Sequence, residues 1–360
     1  MIIGIDATKL MSPNPTGVEV VTADLISAIL RNDLDNTYWL YSSMPLAEHW
    51  TKNTNVKNIV VPGKRFWTQR HLSRELKQHP PNIFWSPSHI LPNNLPPKSV
   101  ATIHDLAFSL FPQSYALKDQ LLSLLAVKKA IKHASRLVAV SQQTKKDLKR
   151  YFQVPGENIE VVYHALRSDF IITDKDLITI YPELDKYFFY VGRLELRKNL
   201  LNIIKAFVQF NKKYPEVKLV LAGGKGYGYA SIKRIIKKNR LIDRVVLLNY
   251  VPVEHLAILY HKSLGVVFAS QYEGFGLTIL EGFASDVPVM TSSLGAMAEI
   301  AGQAALLVDP KNIDAIAEGL QDLYTNDKLT QILVTKGRAQ LQKFDWDKSA
   351  QKMIELWTKL

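Results

Sequence analysis

The chain is 360 residues long, 47% hydrophobic and 22% charged, with no cysteine and a formal net charge of +12. Disulfides and thiolate metal sites are therefore excluded, which makes the reducing cytoplasm the expected location, and no apolar run reaches the roughly 18 residues that cross a bilayer. The mean hydropathy near zero is that of a globular chain long enough for two domains, and the basic balance favours an anionic partner (nucleic acid, a phosphorylated ligand or a membrane face), with general solubility as the plainer reading.

In chain order, "MIIGIDATKL" opens on a core strand rather than a signal peptide. Short β-branched runs at 2–7, 37–42, 58–62, 82–87, 99–105, 136–141 and 159–164 read as strands, with helical segments at 17–31, 65–77, 116–134 and 142–152. The rhythm stops over 169–186, a predicted linker. It resumes with strands at 187–193, 217–223, 244–250, 265–270, 287–292 and 304–309, and helices at 198–213, 229–240, 253–262, 276–285, 295–301 and 312–324. The predicted fold class is α/β: two Rossmann-like, doubly wound parallel-sheet domains, residues 1–168 and 187–345, facing across a cleft. A last helix, 346–360, is expected to pack back on the first domain. Ligands of such sheets bind beyond the carboxyl ends of the strands.

Several motifs occupy those ends. Gly17 opens the helix after the first strand, a place for close approach. The segment "KRFWTQRHLSRELK" (64–77) interleaves bases with Phe66, Trp67, Leu72 and Leu76, as a membrane-surface helix or an ordinary core helix would. In "ATIHDLAF", His104 and Asp105 stand at a strand end, where they are either functional or structural. The bases at 128–136 and 145–150 form a solvated face or receive a phosphorylated or lipid-linked acceptor. In "YVGRLELRKN", Arg193 and Lys198 follow a strand, with Arg197 a third and lesser candidate. Cations there oppose the helix dipole and so suggest a diphosphate. "LAGGKGYG" contributes Gly224 and Lys225 as a weaker phosphate signal.

The most informative stretch is "QYEGFGLTILEGFASDVPV" (271–289). Glu273 is placed in a loop and Glu281 a turn inside a helix that starts near Gly276. The N–H groups of Phe275, Gly276, Leu277 and Thr278 would then face an anion, and the two carboxylates would accept hydroxyls. The plainer alternative is two ordinary surface acids. "FDWDKSA" carries Asp345 and Asp347, a potential metal pair, which reads better as the cap and first turn of the last helix.

Together these pieces resemble the family 4 glycosyltransferases of the GT-B fold, nearest their mannosyltransferase-like bacterial branch. The resemblance rests on "VGRLELRKN", "GYGYASI", "NYVPVEHLAILYHKS", "SQYEGFGLTILEGFASDVPV" and "AEIAGQAALLVDP", with "GVEVVTADLISAIL", "FWSPSHILP" and "TIHDLAF" in the first half. It implies retaining transfer of a hexose from a nucleotide sugar to an acceptor hydroxyl, with no metal and no cofactor, in surface polysaccharide or glycolipid synthesis. The implied donor is GDP-mannose, or a UDP- or ADP-sugar, and the implied acceptor a sugar or lipid-linked sugar. The first half would be the acceptor side, with peripheral membrane contact through its basic surface. Arg193 and Lys198 would hold the diphosphate, with Gly17 and Thr278 near it. Phe275, Gly276 and Leu277 would orient sugar and phosphate, and Glu281 would take the ribose. His104 and Glu273 would contact the reacting sugar. Asp105, Val251 and Glu299 are secondary candidates. Glu19 stands where the family often has a base, and "SSLGAMAE" departs from the usual pattern before Glu299; both bear on acceptor choice and fine donor selection. A nucleotide-sugar epimerase of the same fold is the alternative, and a nucleic-acid-binding protein a further one; no nucleic acid is expected, since no aromatic–basic platform supports it.

Overall fold

The computed structural model describes residues 1–13, 15–170, 181 and 184–360, so most of the predicted linker at 169–186 lies outside the described residues. Strands β1 (Ile2–Asp6), β2 (Thr37–Ser42), β3 (Val56–Val60), β4 (Ile83–Ser86), β5 (Ser99–Ile103), β6 (Arg136–Ala139) and β7 (Ile159–Val161) form one sheet in the order β3-β2-β1-β4-β5-β6-β7. Strands β8 (Tyr187–Val191), β9 (Lys218–Ala222), β10 (Val245–Leu248), β11 (Gly265–Phe268), β12 (Val289–Ser292) and β13 (Leu306–Val308) form a second, in the order β10-β9-β8-β11-β12-β13. All pairings in both sheets are parallel. Parallel sheets covered by helices on both faces need apolar runs, and β4, β5, β11 and β12 are buried at every position. The predicted α/β class with two Rossmann-like sheets is thus present. Each sheet reverses its strand order once, between β1 and β4 and between β8 and β11. Loops that leave a sheet at such a reversal diverge, which makes room for a ligand.

The chain divides into one unit of residues 1–110, 117–167 and 345–360 and another of residues 111–116 and 168–344. The segment Phe111–Ala116, assigned to the first half by sequence, falls in the second unit, where the Phe111 ring lies 5.7 Å from that of Tyr272. The last helix, Trp346–Thr358, lies in the first unit. Its buried Trp357 meets Tyr38 at 6.0 Å and Trp85 at 6.3 Å. Asp345 caps it by accepting from the Lys348 N–H at 2.9 Å, and Asp347 pairs with Arg31 and accepts from Asn32 at 2.7 Å. Both acids are therefore engaged in holding this helix.

Two segments differ from the sequence reading. Residues 65–77 form a π-helix, Thr68–Leu72, followed by the helix Ser73–Gln78. Trp67, Leu72 and Leu76 are buried, and the Trp67 indole donates to the Val61 carbonyl at 2.7 Å, so this apolar face serves its own unit and only Phe66 is left outside. A helix at Asp327–Leu341 was not anticipated. Only Leu333 and Gly337 are buried along its 15 residues, so its apolar periodicity is faint. Gly337 lies against Phe283, whose ring a Cβ would meet at 2.8 Å, so this helix backs onto the helix Leu277–Ala284.

Candidate active site

The loops leaving β8 and β11, at the order reversal of the second sheet, carry Arg193, Lys198, Glu273, Phe275 and Gly276 of the predicted residues. β8 ends at Val191, beside the end of β9. At Gly223 the backbone has φ +142°, and a Cβ would sit 2.1 Å from the Gly192 carbonyl oxygen, so only glycine lets the two strand ends pass. The glycine-rich loop beyond β9 then runs along the 193–198 loop. Leu194 N–H donates to the Gly224 carbonyl at 2.9 Å, Gly226 N–H to that of Leu194 at 3.1 Å, and Leu196 N–H to that of Tyr227 at 3.1 Å. The stretch containing Gly224 and Lys225 thus braces the basic loop, and Arg193, Gly224 and Lys225 are exposed on it.

The side chains of the Arg197-Lys198-Asn199 triplet all turn to the loop after β11. Lys198 Nζ donates to both Glu273 oxygens, at 2.6 and 2.7 Å. The buried Arg197 guanidinium donates to Glu273 Oε2 at 3.2 Å, to the Tyr272 carbonyl at 2.8 Å and to Glu195 Oε1 at 2.9 Å. Ser270 Oγ adds a bond to Glu273 Oε1 at 2.8 Å. Asn199, in the left-handed region with φ 64°, donates to the carbonyls of Ala269 at 2.9 Å and Pro310 at 2.6 Å. Burial pushes the Glu273 carboxyl up, but the charges of Lys198 and Arg197, with hydrogen bonds from Lys198 and Ser270, outweigh it and hold the group below its usual range. Glu273 is therefore an ionised acceptor, not a proton donor. An ammonium has three donors, and Lys198 commits two of them to Glu273.

Four residues beyond Glu273 the helix Leu277–Ala284 begins, with Gly276 at its cap. Among the described residues no group of the chain accepts from the N–H groups of Gly276, Leu277 or Thr278, three of the four amides singled out in the sequence, so this helix start has donors to offer a ligand. The Thr278 hydroxyl reaches the Val191 carbonyl at 3.5 Å, which sets this helix start over the end of β8. The neighbouring Phe275 ring is buried against Phe344 at 5.8 Å. Gly276 has φ +133°, and a Cβ on it would lie 3.0 Å from Ile279 Cδ1. Gly276→Ala is therefore expected to cost roughly 1–2 kcal/mol and to turn these amides away. A thermal melt with and without donor tests both effects; an unchanged midpoint with an unchanged donor shift would refute the assignment.

Glu281, a turn further along, is buried and accepts from the Tyr260 hydroxyl at 2.6 Å. Tyr260, on the helix Val253–His261, was not singled out in the sequence, because a tyrosine in "LAILYHKS" reads as core. Val251 is buried just before that helix, and Glu299 is half-buried on the helix Gly295–Ala301.

In the first unit, β4, β5 and β7 deliver a histidine group at their carboxyl ends. His104 Nε2 bonds the Pro87 carbonyl at 2.8 Å, and its ring stacks 5.5 Å from that of His164. A carbonyl can only accept, so Nε2 carries the proton. Burial lowers the His104 pKa despite that bond, so the ring is neutral and its Nδ1 is an acceptor. Asp105 accepts from the Ala107 N–H at 3.0 Å and so stabilises the short helix after β5. Gly17 is exposed at the first position of the helix Gly17–Asn32. Glu19 bonds back to the Thr16 N–H at 3.2 Å as half of a capping box and pairs with Lys9 at 2.8 Å.

Comparison with known proteins gives this arrangement a context. The family described as Glycosyltransferase Family 4 matches residues 15–170, and that described as Glycosyl transferases group 1 matches residues 178–340. O-antigen chain mannosyltransferase B of Escherichia coli is 27% identical over 311 residues, covering 83% of this chain and 80% of that protein. O-antigen chain mannosyltransferase RfbU of Salmonella typhimurium is 27% identical, covering 71% of this chain and 68% of that protein. Among solved structures, the sucrose-phosphate synthase of Thermosynechococcus elongatus superposes with a TM-score of 0.78 at 19% identity, covering 99% of this chain and 98% of that one. Anabaena Alr3699/HepE, solved with UDP-glucose, has a TM-score of 0.75 at 19% identity over 100% of this chain and 99% of that one.

Proposed function

Since the chain is a glycosyltransferase of the GT-B fold, a Family 4 half joined to a group 1 half, we propose that it moves mannose from GDP-mannose to an acceptor hydroxyl, retaining the configuration at the anomeric carbon and using no metal. The acceptor is a sugar or lipid-linked sugar of a surface polysaccharide or glycolipid, and the protein works on the cytoplasmic side of a membrane. The choice of mannose follows the two O-antigen mannosyltransferase relatives. The observation that carries the donor site is the Lys198–Glu273 pair beside the open helix start at Gly276. Lys198, Arg193 and the amides at Gly276 to Thr278 meet the diphosphate. Glu273 accepts hydroxyls of the sugar, and Glu281 accepts those of the ribose.

In the proposed reaction the bond from the anomeric carbon to the diphosphate oxygen breaks, and the bond to the acceptor oxygen forms on the same face. The acceptor's proton passes to the leaving diphosphate. Fixed cations and amides around that oxygen stabilise the growing charge, a role that needs no protonated carboxyl and suits the ionised Glu273.

A thermal-shift panel tests the donor. A ligand that binds only the folded state raises stability as RT ln(1 + [L]/Kd), so GDP-mannose is expected to raise the midpoint further than UDP-glucose or ADP-glucose. A larger shift with UDP-glucose would replace the donor, a reading that the UDP-glucose complex of Alr3699/HepE keeps in view. Turnover is expected to persist in EDTA; its loss there would reject metal-independent transfer.

A further inference from the structure

Tyr260 and Glu281 lie on the helices before and after β11, Val253–His261 and Leu277–Ala284. Two side-chain bonds tie these helices together. The Tyr260 hydroxyl donates to Glu281 Oε2 at 2.6 Å, and His261 Nδ1 donates to the Ser285 carbonyl at 3.2 Å. Tyr260 is fully buried and Glu281 is 7% exposed. The tyrosine ring is also fixed in direction. It meets Phe189 of β8 edge-on at 5.0 Å and Phe170 edge-on at 5.5 Å, with interplanar angles of 86° and 77°. A phenol so walled can turn only its O–H, and the bond to Glu281 uses that one donor. A buried phenol needs no more than a backbone carbonyl, as Tyr187 shows by donating to that of Leu259 at 2.8 Å. Tyr260 instead donates to a carboxylate, the one assigned above to the ribose.

We propose that Tyr260 is a positioning residue: it holds the Glu281 carboxylate in the orientation that accepts the vicinal hydroxyls of a ribonucleotide, and so makes the site prefer a ribose over a sugar that lacks them. The inference rests on the reading of Glu281 as the ribose acceptor and adds what fixes that group. A carboxylate has about four acceptor positions, and a glutamate on a helix can carry them through many directions by turning its side-chain bonds. The phenol takes one position, on Oε2, and so sets the plane of the group without filling it. The Phe189 and Phe170 rings fix the phenol in turn, and the bond from His261 to Ser285 holds the two helices in register. An acceptor ordered before the ligand arrives removes an ordering cost that binding would otherwise carry. Tyr260 itself touches no ligand in this scheme. Its effect passes through Glu281.

The test is calorimetric titration of the full chain with GDP and with UDP, each beside its 2′,3′-dideoxy counterpart. The wild type is expected to bind the better ribonucleotide more tightly than the dideoxy form. Tyr260→Phe is expected to cut that ratio roughly five- to tenfold, through weaker binding of the ribonucleotide alone. Glu281→Ala is expected to abolish the ratio, and Tyr260→Phe added to it to change nothing further, because the phenol acts through the carboxylate. In donor hydrolysis Tyr260→Phe is expected to raise KM more than it lowers kcat, since the ribose is remote from the breaking bond. A ratio in Tyr260→Phe equal to that of the wild type, whatever its melting midpoint, overturns the proposal, because the phenol then only stabilises the fold. If that variant does not fold, Phe170→Leu, which keeps the phenol and loosens its ring, is titrated in its place, and an unchanged ratio there overturns the proposal equally. A wild type that binds a nucleotide without discriminating its dideoxy form overturns the ribose reading of Glu281, and the inference with it. That result shows in the wild type, whereas failure of the inference alone shows only in the variants.

Discussion

Lys198→Ala and Glu273→Ala are each expected to lower kcat for donor hydrolysis or transfer by about 10²–10³-fold, measured with EDTA present. The reasons differ. In the proposed site, removing the ammonium withdraws a fixed cation from the place where negative charge would grow as the diphosphate departs. Removing Glu273 would deprive the sugar of an acceptor and also frees Lys198, whose two bonds of 2.6 and 2.7 Å hold its third donor in one direction. Because the two side chains act as a unit, the double variant is expected to be little worse than either single one, far from the product of the two losses. Glu273→Gln separates the contributions: it keeps an acceptor but lowers the attraction for Lys198, so its loss lies between wild type and Glu273→Ala. Unchanged turnover in both alanine variants would reject the site.

The strands were legible because a parallel sheet buried on both faces leaves short apolar runs, such as "YFFYV" and "GVVF", between polar boundaries. β3 was misplaced by two residues for the converse reason. It is an edge strand, half-exposed, and Lys57 and Asn58 sit inside it. The helix Leu117–His133 was found by its period, but its direction was not. Apolar periodicity locates a stripe and does not say whether that stripe meets the core or faces outward.

The site was legible locally and illegible at long range. Glu273 in a loop and Glu281 a turn inside a helix both follow from glycines that break the chain after a strand. That Arg197 and Lys198 both reach Glu273 depends on β8 lying beside β11, a sheet order that no local pattern encodes. Arg197 was ranked below Arg193 for the same reason. Arg193 is exposed and Arg197 buried, and nothing in "GRLELRKN" distinguishes a base turned toward a buried carboxylate from one facing solvent.

That buried guanidinium supplies the other large effect. Arg197→Met is expected to destabilise the protein by roughly 3 kcal/mol, because it leaves the largely buried Glu195 and Glu273 carboxylates with one fewer partner. Arg197→Lys is expected to recover part of this, since a lysine restores the charge but cannot span Glu195, Glu273 and the Tyr272 carbonyl as a planar fork does. The same substitution has a signature in acid. In the folded wild type the Glu273 carboxyl is held below its ordinary value of 4.5. A lowered folded-state value contributes stability that is fully present above the unfolded carboxyl's value and is lost as pH falls through the lowered one. Without Arg197 the Glu273 value rises, so the acid-side fall of the melting midpoint is expected to move to higher pH. Melts of wild type and both variants between about pH 3 and pH 7 check this. A uniform drop at every pH, with the wild-type acid profile retained, would mean that Arg197 only fills space and does not hold Glu273 ionised. A shifted profile, with kcat reduced more than KM is raised, would mean that the guanidinium positions the carboxylate proposed to receive the donor sugar.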